Sequence, residues 1–162
     1  MGVPMRRLLP FVAPLLLATP LLAATPAGRP IGLAVHSGTK ADQAARQLVA
    51  QDLAEARRAG DEPLVLTATA PLGGPHEASI LFIQLQSPRE CGSAGCSTSA
   101  FQPDGRGWRK VLDAVSGPIA VQAESHKGMR DLLVGRTRYI WTGAAYADTV
   151  PAPDVSLRRR RH

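Results

Sequence analysis

The chain reads as an α+β domain: one amphipathic N-terminal helix packed on an antiparallel β-meander of about five to six strands, with one disulfide. Three observations predict it. A single helical stripe runs over residues 39–58, short β-rich runs separated by turn residues follow Gly60, and two cysteines stand at positions 91 and 96.

The first segment, residues 1–27, reads as a secretory signal peptide. It has a basic start at Arg6 and Arg7, an apolar run over 8–22, and small residues at Ala23, Ala24 and Ala27. Pro10, Pro14 and Pro20 interrupt that run, which is shorter than the about 20 residues a membrane-spanning helix needs. No transmembrane anchor is therefore expected once the segment is removed, and the implied location is periplasmic or secreted. What remains is one domain of ordinary size.

The formal charge of +6 belongs to the two ends of the chain. Arg6 and Arg7 lie in the signal segment and Arg158, Arg159, Arg160 and Arg161 close the sequence; setting these six aside from the 19 basic residues leaves as many bases as the 13 acids. A basic groove for nucleic acid is not implied, and the seven aromatics do not interleave with the arginine run. Clustered guanidinium groups can grip phosphate or an anionic surface, but residues 151–162 read as a mobile, solvated tail.

Residues 28–38 form an extended lead-in rich in Pro, Gly and small residues, with a short strand expected over 31–35. The single domain is expected to occupy 39–150. Over 39–58, Ala41, Ala44, Ala45, Leu48, Val49, Leu53 and Ala56 recur at the spacing of one helical face. Thr39 is placed to cap the N-terminus, Asp42 sits in the first turn, Arg57 and Arg58 in the last, and Gly60 ends the helix. Strands are expected over 64–70 and 79–86. The second has core candidates Ile80, Phe82 and Leu85, yet Leu81 and Ile83 make it apolar on both faces, which places it at a sheet centre. Runs at 97–102 and 108–112 flank an Asp104-Gly105 reversal and form a hairpin. Further strands over 119–123, 131–134 and 138–142 are separated by Lys127-Gly128, Gly135-Arg136 and Gly143. Short connections of this kind favour antiparallel pairing.

The residues that carry chemistry are few. Cys91 and Cys96 enclose Gly92, Ser93, Ala94 and Gly95, and in an exported chain they are expected to form a structural disulfide. A redox-active pair would instead want two intervening residues at a helix N-terminus. Gly92-Ser93-Ala94-Gly95 lacks the first glycine of a nucleophile elbow, so Ser93 is read as a loop residue on a candidate contact surface. His36, His76, His126 and His162 show no ligand spacing, and no metal or cofactor is expected. His126 near Asp131, and His76 beside Glu77, would need a positioned pair in a cleft for acid–base work. Trp108, Tyr139, Trp141 and Tyr146 cluster late in the chain; Trp108, Trp141 and Tyr146 are candidates for a binding patch, with core packing as the competing role.

Residues 124–134, ending in Asp131-Leu132-Leu133-Val134, resemble the FG-GAP repeats of β-propellers, which implies a turn followed by a strand; Lys127 and Arg130 stand where calcium ligands would be. The order of an apolar strand, the Cys-Gly-x-x-Gly-Cys turn, a Trp-bearing hairpin, Arg-Asp-Leu-Leu-Val and Trp-x-Gly-x-x-Tyr over residues 79–146 resembles small exported proteins of Gram-negative bacteria. In spacing alone, the chain is similar to Ivy-type periplasmic lysozyme inhibitors, which set a helix against an antiparallel sheet and use a C-x4-C loop to plug an enzyme. That family's loop carries His and Asp, where this chain has Gly92, Ser93, Ala94 and Gly95. The functional expectation is a secreted or periplasmic non-catalytic binding or inhibitor-like domain whose partner is a protein or envelope component. A small periplasmic hydrolase and an envelope-surface protein tethered by its Arg tail are the alternatives.

Overall fold

A computed structural model describes residues 28–73, 79–105 and 107–150. Residues 1–27, read from sequence as a signal peptide, residues 151–162 with Arg158 to Arg161, and His76 with Glu77 lie outside the described residues. The described residues form two helices, α1 (Lys40–Leu48) and α2 (Ala50–Arg58), and ten strands. The strands are β1 (Arg29–Pro30), β2 (Leu64–Pro71), β3 (Ser79–Gln86), β4 (Cys91–Gly92), β5 (Gly95–Asp104), β6 (Gly107–Ser116), β7 (Ile119–His126), β8 (Met129–Val134), β9 (Thr137–Trp141) and β10 (Tyr146–Asp148). None of these helices is long and apolar enough to cross a membrane.

Local sequence sets the helical ends as expected. The Thr39 hydroxyl accepts from the Asp42 amide at 3.2 Å, satisfying one orphan donor of the first turn. At the other end Gly60, at φ 76°, lets Asp61 N–H reach Ala56 O at 2.9 Å and Gly60 N–H reach Arg57 O at 3.0 Å, a Schellman closure. The single helix expected over 39–58 is instead two nine-residue helices joined at Val49 (φ −108°, ψ 23°). Val49 is β-branched and a weaker helix former. Its amide still bonds Ala45 O at 3.0 Å, and Leu53 N–H bonds its carbonyl at 3.0 Å, so Ala45, Val49, Leu53 and Ala56 remain one buried stripe.

The expected meander of five to six strands in one sheet is replaced by two antiparallel sheets. One has the order β2-β3-β5, with β4 pairing the start of β5 and β6 pairing along it; the other has the order β1-β7-β8-β9-β10. The reason lies in β3, whose two faces are both apolar. Ile80 and Phe82 enter a core shared with Leu112, Val121, Leu132 and Trp141 of β6 and the second sheet. Leu81, Ile83 and Leu85 enter a separate core under Ala45, Val49 and Leu53. A strand apolar on both faces needs a layer on each, so the molecule is stacked as helix, sheet and sheet. Leu85 therefore shares the helix-facing side with Leu81 and Ile83, opposite Ile80 and Phe82.

The two sheets are stitched together at their margins. The lead-in pairs through β1 with β7, then exchanges hydrogen bonds between Ala34 and Thr67 of β2 at 3.2 and 2.8 Å. Beyond β2, Gly73 bridges to Met129, and Arg130 N–H bonds Leu72 O at 2.7 Å. A Cβ at Gly73 would sit 2.6 Å from the Gly128 carbonyl oxygen, so this crossing point requires glycine. At the β7–β8 connection Lys127 (φ 48°) and Gly128 (φ 84°) both take left-handed conformations between the paired residues His126 and Met129, the pattern of a type I′ hairpin. The turn-then-strand expected over 124–134 is thus present.

In the β5–β6 hairpin Ser99 faces two residues, Asp113 and Ala114, because pairing jumps from Thr98–Val115 to Ala100–Leu112. Ala114 takes φ 43° there, and its amide donates to the Ser99 hydroxyl at 3.1 Å. A Cβ in the left-handed region costs roughly 1–2 kcal/mol. Ala114→Gly keeps the backbone hydrogen bond and removes that strain, so thermal unfolding should shift upward by a few degrees; a downward shift would contradict the bulge geometry. A second expectation concerns Asp42. The Gly38 amide at 2.9 Å and the Arg46 guanidinium at 2.9 Å hold its carboxyl below the usual range. A depressed carboxyl pKa stabilises the fold above the unfolded value and loses that contribution as pH falls below it. Wild type should therefore exceed Asp42→Asn in denaturant midpoint at pH 7, with the gap narrowing below about pH 4; a gap independent of pH would contradict it.

Candidate functional site

The disulfide expected from sequence is formed: Cys91 and Cys96 are bonded and lie opposite each other in the β4–β5 ladder, with Gly92 paired to Gly95. Ser93 and Ala94 are exposed at the tip. In the chain-entropy view a loop this short contributes about 2 kcal/mol, so the bond fixes the turn rather than the whole fold. The segment leading into it is tied to the end of α2. Ser87 Oγ donates to Asp61 at 2.6 Å, Glu90 N–H donates to Ser87 Oγ at 3.2 Å, and Arg89 donates to the Ala59 carbonyl at 3.2 Å. The turn is therefore held at both its root and its neck.

Next to it lies a groove of about 400 Å³ between α2 and the outer face of β5 and β6. It exists because the helices lie over β2, β3 and Phe101 of β5, while the continuation of that face at Ser97, Ser99, Lys110 and Asp113 has no layer upon it among the described residues. Val49, Ile83 and Leu85 supply apolar floor, and Asp52, Glu55 and Glu90 supply carboxylates at its walls. Lys110 is paired with Asp113 at 2.7 Å. Among the described residues Asp52 and Glu90 have no ion-pair partner, and Glu55 reaches Arg58 only at 4.0 Å. Asp52 and Glu55 fall outside the apolar stripe of the helix, and nothing in local sequence signals that β5 and β6 stand opposite them.

A second cluster is electrostatic. Asp131 on β8 is fully buried, lying opposite an irregularity in which residues 122–124 of β7 occupy the space of one. His126 Nδ1 is 2.7 Å from Asp131 Oδ1, and Arg138 bridges Asp131 and Glu124 at 3.0 and 3.1 Å. The Arg138 Nε–Asp131 Oδ2 approach is an ion pair by distance but lacks hydrogen-bond direction, leaving Oδ2 without a directed donor. Burial, with the nearby Asp131 charge adding to it, raises the Tyr146 hydroxyl well above its ordinary pKa, so it remains a neutral donor to Arg130 O at 2.8 Å.

The pairing of His126 with Asp131 is the positioned pair that acid–base chemistry requires, but its setting is a sheet surface. The His126 side chain is 47% exposed, and its hydrogen-bond partner among the described residues is Asp131. Ser93 lies at the opposite end of the sandwich, where Gly117 packs near both Gly135 and the Ala94 carbonyl. No group of three metal-ligating side chains occurs among the described residues.

The late aromatics separate. Trp141 and Tyr146 are buried in the inter-sheet core as an edge-to-face pair, ring centroids 5.3 Å apart, so they do not form an exposed patch. Trp108 alone of the three stands out from the surface, 38% exposed, at the β5–β6 hairpin. Arg109 lies 5.8 Å from the Trp141 ring centroid and bonds Gln102 at 2.8 Å and the Ala144 carbonyl, tying β6 to the β9–β10 loop.

Removing Arg138 leaves the buried Asp131 carboxylate with His126 alone; losing one partner of a fully buried pair costs about 3–5 kcal/mol, and less here because the Arg138 side chain is 41% exposed. Asp131→Asn in the Arg138→Met background should recover part of that loss. A double-mutant cycle by urea unfolding should give a coupling of at least about 1 kcal/mol; additivity would show that the pair does not interact. No protein-family model, curated protein or solved structure matches this chain, so its functional reading rests on these residues alone.

Proposed function

We propose that this is an exported, non-catalytic binding domain that engages its partner through the disulfide turn and the groove beside it. The observation that carries the reading is the stretch of β5 and β6 at Ser97, Ser99, Lys110 and Asp113 that no described element covers, which leaves an open groove against α2 next to a turn fixed by Cys91–Cys96. Preformed concavity and a rigid projecting loop both reduce the ordering cost of association. A disulfide also accords with an oxidising compartment, in line with the signal segment read from residues 1–27. The resemblance to small exported proteins of Gram-negative bacteria belongs to this same reading.

Catalysis has less support. His126 lies half-exposed on a sheet surface away from the groove with Asp131 buried beneath it, and Ser93 stands at the other end of the sandwich. Affinity capture from envelope extract is the test, using the full chain beside two variants: Cys91→Ser with Cys96→Ser, and Ser97→Trp, which fills the groove. The reading predicts a partner held by wild type and lost from at least one variant that retains its fold by circular dichroism. A partner held equally by all three would contradict the contact surface. Ester or peptide hydrolysis by wild type that disappears in His126→Ala would replace binding with catalysis.

A further inference from the structure

We infer that the groove between α2 and β5–β6 takes a cationic, extended segment of a partner protein, one presenting Lys or Arg side chains; this rests on the binding reading above and gives it a ligand class. The groove combines two features that together suit such side chains. Its floor is apolar, from Ala59 with the edges of the nearly buried Val49, Ala56, Ile83 and Leu85, and its walls bear carboxylates. Lys and Arg lay methylene stems along apolar surface while their charged heads seek acceptors at the rim, whereas a purely apolar segment would leave the wall carboxylates desolvated and unpaired.

The charge inventory points the same way. Asp52, Glu55, Glu90 and Asp113 face two cations, Arg89 and Lys110. Both cations are already engaged: Lys110 with Asp113 at 2.7 Å, and Arg89 with the Ala59 carbonyl at 3.2 Å. Arg89 itself shows how a guanidinium docks here, against a carbonyl at the C-terminal end of α2 where the helix dipole is negative. The Ser97 and Ser99 side chains add polar surface along the same wall. A volume of about 400 Å³ accommodates a short run of side chains rather than a globular surface. An acidic segment or a nucleic acid would meet uncompensated like charge.

The test titrates the full chain with fluorescein-labelled tetra-arginine amide at 50 mM salt. Tetra-glutamate is the control peptide. Two variants of equal net charge are compared: Asp52→Asn with Glu90→Gln in the groove, and Asp104→Asn with Asp148→Asn outside it. Wild type should bind tetra-arginine in preference to tetra-glutamate, the groove variant should weaken binding about tenfold, and the outside variant should stay within about twofold. Equal weakening in both variants, or no binding by wild type, would overturn the inference. Binding that appears only after Arg158, Arg159, Arg160 and Arg161 are changed to Ala would also overturn it, because the groove would then already hold the chain's own arginines. A captured partner indifferent to the Asp52→Asn, Glu90→Gln change would leave the binding function standing and remove only its ligand class.

Discussion

The structure depends on burying both faces of β3. Ile80, Leu81, Phe82, Ile83 and Leu85 are nearly inaccessible to solvent, and no arrangement of a single sheet with one wet face can achieve that. One side requires the helices and the other requires a second sheet. Fully burying side chains of this size contributes about 1.5–3 kcal/mol each, so this one strand organises a large part of the folding free energy. The remaining architecture supplies its covers and holds them in place: the lead-in crossing from β7 to β2, the Gly73–Met129 bridge, and the Arg109 link to the β9–β10 loop.

The same division of labour leaves an opening. Eighteen helical residues cover β2, β3 and Phe101 of β5 but not the stretch of that face at Ser97, Ser99, Lys110 and Asp113. That stretch is accordingly polar, and the bulge at Asp113 and Ala114 keeps it irregular. Where it meets α2 it becomes a groove rather than a core, next to a turn pinned by a disulfide and by the Ser87 and Arg89 contacts. The apolar centre of this sheet thus serves the fold, and its β5–β6 margin carries the groove. The buried Asp131 serves the other sheet, where Arg138 offsets its charge and His126 hydrogen-bonds it.

Features set by neighbouring residues were legible in the sequence. The helical stripe with its Thr39 cap and Gly60 stop, the β5–β6 hairpin, the Lys127-Gly128 turn and the Cys91–Cys96 bond all follow from residues a few positions apart. The two-faced character of β3 is visible too and places it at a sheet centre, but which strands cover it depends on pairings distant in sequence, such as Ile119 with Val134 and Ala34 with Thr67. For the same reason the groove could not be read, since Asp52 and Ser99 meet only after folding. Trp141 and Tyr146 illustrate the ambiguity of aromatics: the spacing that placed both on one face did not say whether that face was wet, and it is the inter-sheet core.

Native-state amide hydrogen exchange on the full chain tests the central claim most directly. If burial of β3 on both faces organises the fold, amides of Ile80 to Leu85 should exchange only through global unfolding, with protection matching the full unfolding free energy, while β10 opens at lower cost. Exchange of β3 as fast as that of Tyr146–Asp148 would contradict the account.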